Sequence, residues 1–454
     1  MSETREHPPG SPSESEESRP GRLDRFFSLT ERDTSVRTEV VAGLSMFLAT
    51  AYAAVVVPGQ LAKAGVPHGP ITTAVLLAIV LATLAMGLYA NLPLVVAPGL
   101  GGVALVAVTI VGQDHVPWPV AFGMVFWSGV AFLLLTALGV RELVTTLIPA
   151  DLKHAISAGI GLFIALLGFR GAGLVIANPK TNALTLGGLA SPGALLALGG
   201  LIVLAALMTR KVPGAFLITI ALVTLLGIPL GVTHAPDRLF AGPAGIGPVA
   251  LHVDVLGALR PEFFPYIFAF FVSEFFSMTG TLLAVADRAG LTDEQGNVPN
   301  VKRPFYVDSA AVVAGAGLGA PSMTAYLESA AAADSGGRTG LSAVVAAAGF
   351  ALLLLLTPFA AVIPAAATAP VLIFVGLRML GSLGKVDMSS PADAIPVALT
   401  VVCAVFFGNF GTAIAVGIAG YVLIRALLGR FREIPVGLWI VMVPLAYFFY
   451  TLAT

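Results

Sequence analysis

Beyond its first 35 residues the chain is built from apolar runs of about 17 to 25 residues, the length an α-helix needs to cross roughly 30 Å of hydrocarbon. In lipid every backbone N–H and C=O must be paired inside the protein, so such runs fold as helices, and the alternating ~10-residue pattern of a membrane barrel is absent. With 57% of its 454 residues hydrophobic and 11% charged, the chain lies far from the composition of a soluble domain. The expected fold class is therefore an all-α polytopic membrane protein, with membrane lipid as its surroundings. The single cysteine, Cys403, sits inside an apolar run, and the six histidines are scattered. Neither a disulfide framework nor a metal site can be built from them, and no cofactor is expected. A net charge of −1 without a basic face provides no nucleic-acid surface.

Residues 1–35, rich in Ser, Glu, Arg and Pro, have no apolar core, so a disordered cytoplasmic tail is expected rather than a cleaved signal peptide. "RLDRFFSL" within it reads as the lead-in to the first span, with a short interfacial helix as the alternative. Fourteen apolar segments follow, at 39–58, 70–90, 94–112, 118–139, 152–174, 192–209, 213–232, 262–286, 305–318, 324–333, 341–362, 366–381, 394–408 and 411–428. A further run at 436–452 can be read as spanning, re-entrant or superficial. With the N-terminus cytoplasmic, all but five of the 24 Lys and Arg residues (Lys63, Arg170, Lys180, Arg238 and Arg260) fall on the cytoplasmic side. That bias is the positive-inside rule for a multi-pass protein of the cell membrane.

Short similarities recur in order along the two halves: "AKAG" with "DRAG", "VVAPG" with "LGAPS", "IPADL" with "IPAAA" and "SPGA" with "SPAD". Their order predicts two repeats of seven segments, and an odd number per repeat inverts one half relative to the other. Segments 3 and 10 are both interrupted by Ala-Pro followed by small residues, in "VVAPGLGGVAL" and "GLGAPSMTAYL". Short extended stretches are expected there, each leading into a helix N-terminus whose N–H groups face a ligand. Side by side near the midplane, the two stretches mark the expected substrate site.

Carboxylates lie beside this site. Glu328 follows the break in segment 10, while Glu274, Ser277 and Thr281 share one face of segment 8 at i, i+3 and i+7 spacing. A charged side chain at the bilayer centre costs about 2.5–3.5 kcal/mol on insertion scales, so it needs a cavity, a partner or a proton. No Lys or Arg is expected at the same depth. Glu328 and Glu274 are thus candidates for proton coupling or for hydrogen bonding to substrate. Two other polar stretches carry no chemistry. "TDEQGN" lacks the spacing of a calcium loop and reads as a turn, and "GGRTGL" lacks the Lys of a phosphate loop, leaving Thr339 as a helix cap and Arg338 as a cytoplasmic anchor.

"TEVVAGLSMFLATAY", "GLYANLPLVVAPGLG", "GTLLAVADRAGLTDEQGNVP", "AYLESAAAADSGGRTGLSAVV" and "IPAAATAPVLIFVG" together resemble the adenine/guanine/hypoxanthine permease branch of the nucleobase–cation symporter family, which is related to the nucleobase–ascorbate transporters. The resemblance implies a core domain of segments 1–4 and 8–11 (36–139 and 260–362) and a gate domain of segments 5–7 and 12–14 (140–235 and 363–454). It also implies homodimers. Glu328 matches the glutamate that binds the base, and Gly102 the turn of segment 3. With them we assign Tyr326, Leu327, Ser277, Thr281, Val103 and Tyr52 to substrate binding, and Glu274 with Glu328 to proton coupling. Three positions depart from the branch: Ser277 stands where a second Asp is usual, and Val103 and Val57 where an Asn is usual. A less polar pocket follows, fitted to a different or smaller ring.

The expected function is import of a nucleobase or related heterocycle by symport with a cation, a proton or alternatively sodium, and not catalysis. A permease for another small organic acid or anion on the same fold is the alternative, against which an unpaired Glu328 would repel the anion. A membrane enzyme lacks a nucleophile–base pair. A passive channel would not accumulate substrate under a proton gradient.

Overall fold

A computed structural model describes residues 21–139, 149–177, 184–233, 242–293, 298–356, 362–406 and 410–453. Most of the expected tail, the end of the "TDEQGN" turn and the ends of segments 11 and 13 lie outside them. Among the described residues the chain is a bundle of apolar helices, seven of them long and apolar enough to cross a membrane. The first segment is longer than its apolar run: α2 (Val36–Thr50) and α3 (Ala53–Lys63) form one span with a break at Ala51 and Tyr52. A short helix, α1 (Arg22–Phe27), precedes it, and Phe27 packs with Leu29 and Leu341.

After α4 (His68–Ala85) and a π-helical turn, the third segment opens as strand β1 (Val96–Pro98) and becomes helical only at α5 (Leu100–Ala104). Helix α6 (Trp118–Leu138) follows, then α7 (Ala150–Gly171), a small hairpin of β2 (Val175–Ala177) and β3 (Leu184–Leu186), α8 (Pro192–Thr209) and α9 (Ala215–Gly227). The second half begins with α10 (Phe264–Arg288) and α11 (Lys302–Leu318). It then breaks into β4 (Met323–Ala325), a 3₁₀ turn and α12 (Ala330–Asp334). Helices α13 (Gly340–Leu353), α14 (Ala365–Leu380), α15 (Pro391–Phe406), α16 (Phe410–Leu427) and α17 (Val436–Ala453) complete it. The run left open at the C-terminus is thus a helix of the bundle, packed on α16, on α10 and on the turn ahead of α10.

The two broken segments solve their backbone problem together. β1 and β4 are antiparallel, with Val96 opposite Ala325, Ala97 opposite Thr324 and Pro98 opposite Met323. Bonds from Gly99 N to the Ser322 carbonyl (2.7 Å) and from Tyr326 N to the Val95 carbonyl (2.9 Å) flank the pair. Side chains take the groups that the short ladder leaves over. Val95 N donates to Ser329 Oγ at 3.0 Å, Val96 N to Thr83 Oγ1 at 3.2 Å, and the Tyr326 hydroxyl to the Pro98 carbonyl at 2.6 Å. The entry to β4 requires a left-handed turn. Gly319 has φ +104°, and a Cβ there would also run into Val249.

Helix packing falls into two groups. α2, α4, α6, α10, α11 and α13 pack around the strand pair, and α7, α8, α9, α14, α15 and α16 pack chiefly on one another. Within the first group a buried carboxylate ties the start of the bundle to its later part. Glu39 on α2 accepts bonds from the amides of Arg338 (2.8 Å), Thr339 (3.2 Å) and Ser342 (3.3 Å) and from the Ser342 hydroxyl. A negative side chain here meets the amide-rich N-terminus of α13, where the helix dipole favours it. Thr339 is the N-cap of α13, its hydroxyl accepting from Leu341 N at 3.3 Å. The Arg338 guanidinium is anchored on the Arg32 carbonyl at 3.0 Å.

Replacing Glu39 by Ala strands several buried donors, each of which costs about 1–3 kcal/mol when unsatisfied. Glu39→Ala is expected to lower the melting temperature of the detergent-solubilised protein sharply, with Glu39→Gln in between. Equal melting temperatures for the wild type and Glu39→Ala would show the contact to be idle.

Candidate functional site

The strand pair forms part of the wall of a cavity of about 970 Å³ between the two helix groups, a size suited to a small organic ligand. Helix α10 contributes Ser273, Glu274, Ser277, Gly280, Thr281 and Ala284, a run of small and polar side chains at helical spacing. Because the other faces of α10 carry the bulky, buried Phe270, Phe271 and Phe275, with Phe271 and Phe275 packed against Phe132 and Phe275 also against Phe305, the polar stripe is left to face the cavity. Ile156, Ile160 and Ile164 of α7 supply an apolar wall opposite.

Glu328 stands in the 3₁₀ turn directly after β4, and its carboxylate accepts a bond from the Tyr52 hydroxyl at 3.0 Å. The break between α2 and α3 is what brings Tyr52 to this point. Its ring is buried between Phe216 of α9, 4.9 Å away between centroids, and Tyr326, 6.0 Å away. Flat aromatic faces and one hydrogen-bonding carboxylate therefore meet at the same corner of the cavity.

Glu274 is buried more deeply, at 1% exposure. Its Oε2 accepts from the Ser128 hydroxyl at 3.0 Å, and the Ser322 hydroxyl, at the start of β4, faces the same carboxyl. Close behind lies Asp308 of α11, with 0% exposure. Its carboxyl faces the amide of Ala325, one of the strand groups that an antiparallel ladder turns outward. Glu274 and Asp308 are near enough to influence each other's charge, so this corner holds two carboxylates and two hydroxyls, one from α6 and one from the bend that leads into β4.

Seven of the eight positions assigned to substrate binding from the sequence, Glu328, Tyr326, Leu327, Ser277, Thr281, Gly102 and Tyr52, line this one cavity, as does Glu274. Val103 does not. It is fully buried in the hydrophobic core on the far side of α5 from the cavity wall formed by Gly101 and Gly102, so an Asn at 103 would not reach a ligand in this arrangement. Arg378, in the last turn of α14, also lines this cavity. Asp308, Ser128 and Ser322 escaped the sequence reading as well. An Asp within "FYVDSAAVV" was a visible signal of the same kind as Glu274, whereas Ser128, Ser322 and Arg378 become neighbours only through packing.

The Permease family pattern matches residues 37–415. The chain is 37% identical to the adenine permease AdeP of Escherichia coli, over 91% of this chain and 93% of that protein. To the guanine/hypoxanthine permease PbuO of Bacillus subtilis it is 36% identical, over 90% of this chain and 96% of the relative. Among solved structures it is similar to the transmembrane domain of the cyanobacterial bicarbonate transporter BicA, with a TM-score of 0.59 at 19% identity, over 88% of this chain and 98% of that chain. At that identity the likeness is one of fold.

Gly102 is where α5 passes Ser322, and a Cβ on it would overlap the Ser322 side chain. Overpacking of this kind costs about 1–3 kcal/mol, and here it would push the two half-helices apart. Gly102→Ala is expected to lower both the melting temperature and ligand binding, and Ser322→Ala placed in the Gly102→Ala background is expected to recover part of each. Failure of the second change to recover either would place the clash elsewhere.

Proposed function

This chain belongs to the Permease family, and on that premise we propose that it imports a nucleobase or closely related heterocycle across the cell membrane by symport with a proton. The observation that carries this reading is the convergence of Glu328, Tyr52 and Tyr326 on one cavity at the crossing of β1 and β4. A ring N–H of the substrate finds an acceptor in Glu328, and the aromatic faces of Tyr52 and Tyr326 match a planar heterocycle. Ser277 offers a hydroxyl where the related branch usually has a carboxylate, which leaves Glu328 as the principal acceptor on this side.

Glu274 and Asp308 take the coupling role in this reading. Both are buried, Glu274 beside the Ser128 and Ser322 hydroxyls and Asp308 facing the Ala325 amide, and one wall of the cavity lies against Glu274. A proton on this pair removes charge from the low-dielectric interior, which favours movement of the strand-bearing group past the other. The first helix group serves as the core that carries substrate and the second as the gate, with the N-terminus cytoplasmic and the protein a homodimer. Ligand sites at the junction of two such groups are usual in secondary transporters.

Glu328→Gln keeps the shape of the side chain but cannot ionise. Binding of substrate is expected to weaken by about 1.5–3 kcal/mol, the range for a hydrogen bond to a charged group. Glu274→Gln is expected to bind almost normally and to lose pH-dependent accumulation. Binding titrations with purine bases and uptake at two pH values test both variants, and the opposite pattern would overturn the assignment.

A further inference from the structure

Helix α1 leaves part of its apolar side uncovered by the described residues. Leu23, Phe26 and Phe27 stand at i, i+3 and i+4, on one side of the helix. Phe27 is buried against Leu29 and Leu341, with Val344 beside them, whereas Leu23 and Phe26 are 51% and 58% exposed. Arg22 and Arg25 come next around the axis after Phe26. Both are exposed and form no ion pair among the described residues. Asp24, the carboxylate of this helix, is engaged elsewhere and accepts from the Thr30 amide at 2.7 Å and the Thr30 hydroxyl at 3.0 Å. Contacts with three apolar segments set the height of α1. Asn91, directly after the span that ends at Ala90, donates its side-chain amide to the Phe27 carbonyl at 2.9 Å and accepts from Gly340 N, the first residue of α13, at 2.7 Å. Leu341 and Val344 belong to the first turns of α13, and the first span begins at Val36, just after α1. The helix thus lies where these segments meet one boundary of the membrane. Tyr89, 53% exposed beneath the Arg303 guanidinium at 5.7 Å, marks that boundary with the aromatic and cationic groups usual at a headgroup layer.

We propose that α1 is an in-plane helix that docks the first helix group on the anionic headgroup layer of the cytoplasmic leaflet, Leu23 and Phe26 entering the acyl boundary and Arg22 and Arg25 meeting lipid phosphates. The inference takes the cytoplasmic N-terminus from the reading above and nothing from its substrate or its proton. A bilayer surface has both groups that this edge answers, hydrocarbon for the two apolar side chains and phosphate oxygens for the guanidinium forks. Arg37 at the start of α2, with Lys302 and Arg303 at the start of α11, adds positive charge to the same side of the bundle. The acidic residues of the following loop are Glu31, which is exposed, and Asp33, which meets Arg338 at 3.4 Å. An anionic leaflet attracts such a boundary more strongly than a neutral one, and the attraction fades within a Debye length. A protein partner would have to reach this edge inside the headgroup layer, where lipid is already present.

The test uses the full-length chain carrying Cys403→Ala and a single spin label, attached through Leu23→Cys, Phe26→Cys or, as a water-facing control, Glu31→Cys. All three label sites are exposed, so melting temperatures in detergent are expected to equal that of the Cys403→Ala parent. Each variant is reconstituted in vesicles of phosphatidylcholine alone and of an equal mixture with phosphatidylglycerol, at low salt. Collisions of each label with oxygen, which concentrates in hydrocarbon, and with a water-soluble nickel chelate are then measured. In the mixed vesicles the labels at positions 23 and 26 are expected to shift toward oxygen and away from nickel relative to the label at position 31, with a smaller shift in phosphatidylcholine alone. Arg22→Gln together with Arg25→Gln is expected to bring the mixed vesicles back to the neutral pattern. Labels at 23 and 26 that meet nickel as freely as the one at 31 overturn the proposal, as does the same pattern in both kinds of vesicle. Labels shielded from both reagents would show protein covering the edge, a second copy or another part of the chain, and would overturn it too. No substrate enters the measurement, so its failure leaves the nucleobase reading where it stands.

Discussion

Pairing of two short extended stretches inside the membrane is the constraint on which the remaining structure depends. Pro98 and Pro321 interrupt what would otherwise be ordinary spanning helices, and an interrupted backbone in hydrocarbon has polar groups with no water to turn to. Here the two interruptions satisfy each other as β1 and β4, and Thr83, Ser329 and the Tyr326 hydroxyl take what is left over. Half-helices then start on either side of the crossing. The small residues around it, Gly99, Gly101, Gly102 and Ala325, leave the room that a cavity needs.

From that crossing follows the different placement of the carboxylates. Glu328 emerges just after β4 and is half-exposed to the cavity, held by Tyr52. Glu274 and Asp308 sit behind the strands, where the outward-facing amide of Ala325 and the hydroxyls of Ser128 and Ser322 are the local polar groups. In the proposed function the first meets the ligand and the other two hold the proton. Their chemical type is the same; their solvent access separates them.

Across the cavity the second helix group adds what the first lacks. It contributes an isoleucine wall from α7, the Phe216 ring beside Tyr52, and the cationic charge of Arg378. These groups face the substrate corner from helices that pack mainly among themselves. Any displacement between the groups therefore changes the contacts of Tyr52 and the field at Glu328 together.

Much of this was legible in the sequence, because the signals were local. Run length and hydropathy settle the all-helical membrane class. Ala-Pro in segments 3 and 10 marks the broken helices, and the spacing of Glu274, Ser277 and Thr281 identifies the cavity face of α10. The family branch was recognisable from "YLESAAAADSGGRTGL". What remained hidden depends on which helices meet. Val103 lies one residue beyond Gly102, and only the packing of α5 turns one toward the core and the other toward Ser322. Arg378 and Glu328, 50 residues apart in the chain, line one cavity only because of how the helices pack. Sequence alone determined the elements and the residues that cannot rest in lipid without a purpose, since burial in hydrocarbon penalises each charge wherever it falls. Partners for those charges were decided only by the tertiary structure, because electrostatics and hydrogen bonding act over a few ångströms that sequence distance does not measure.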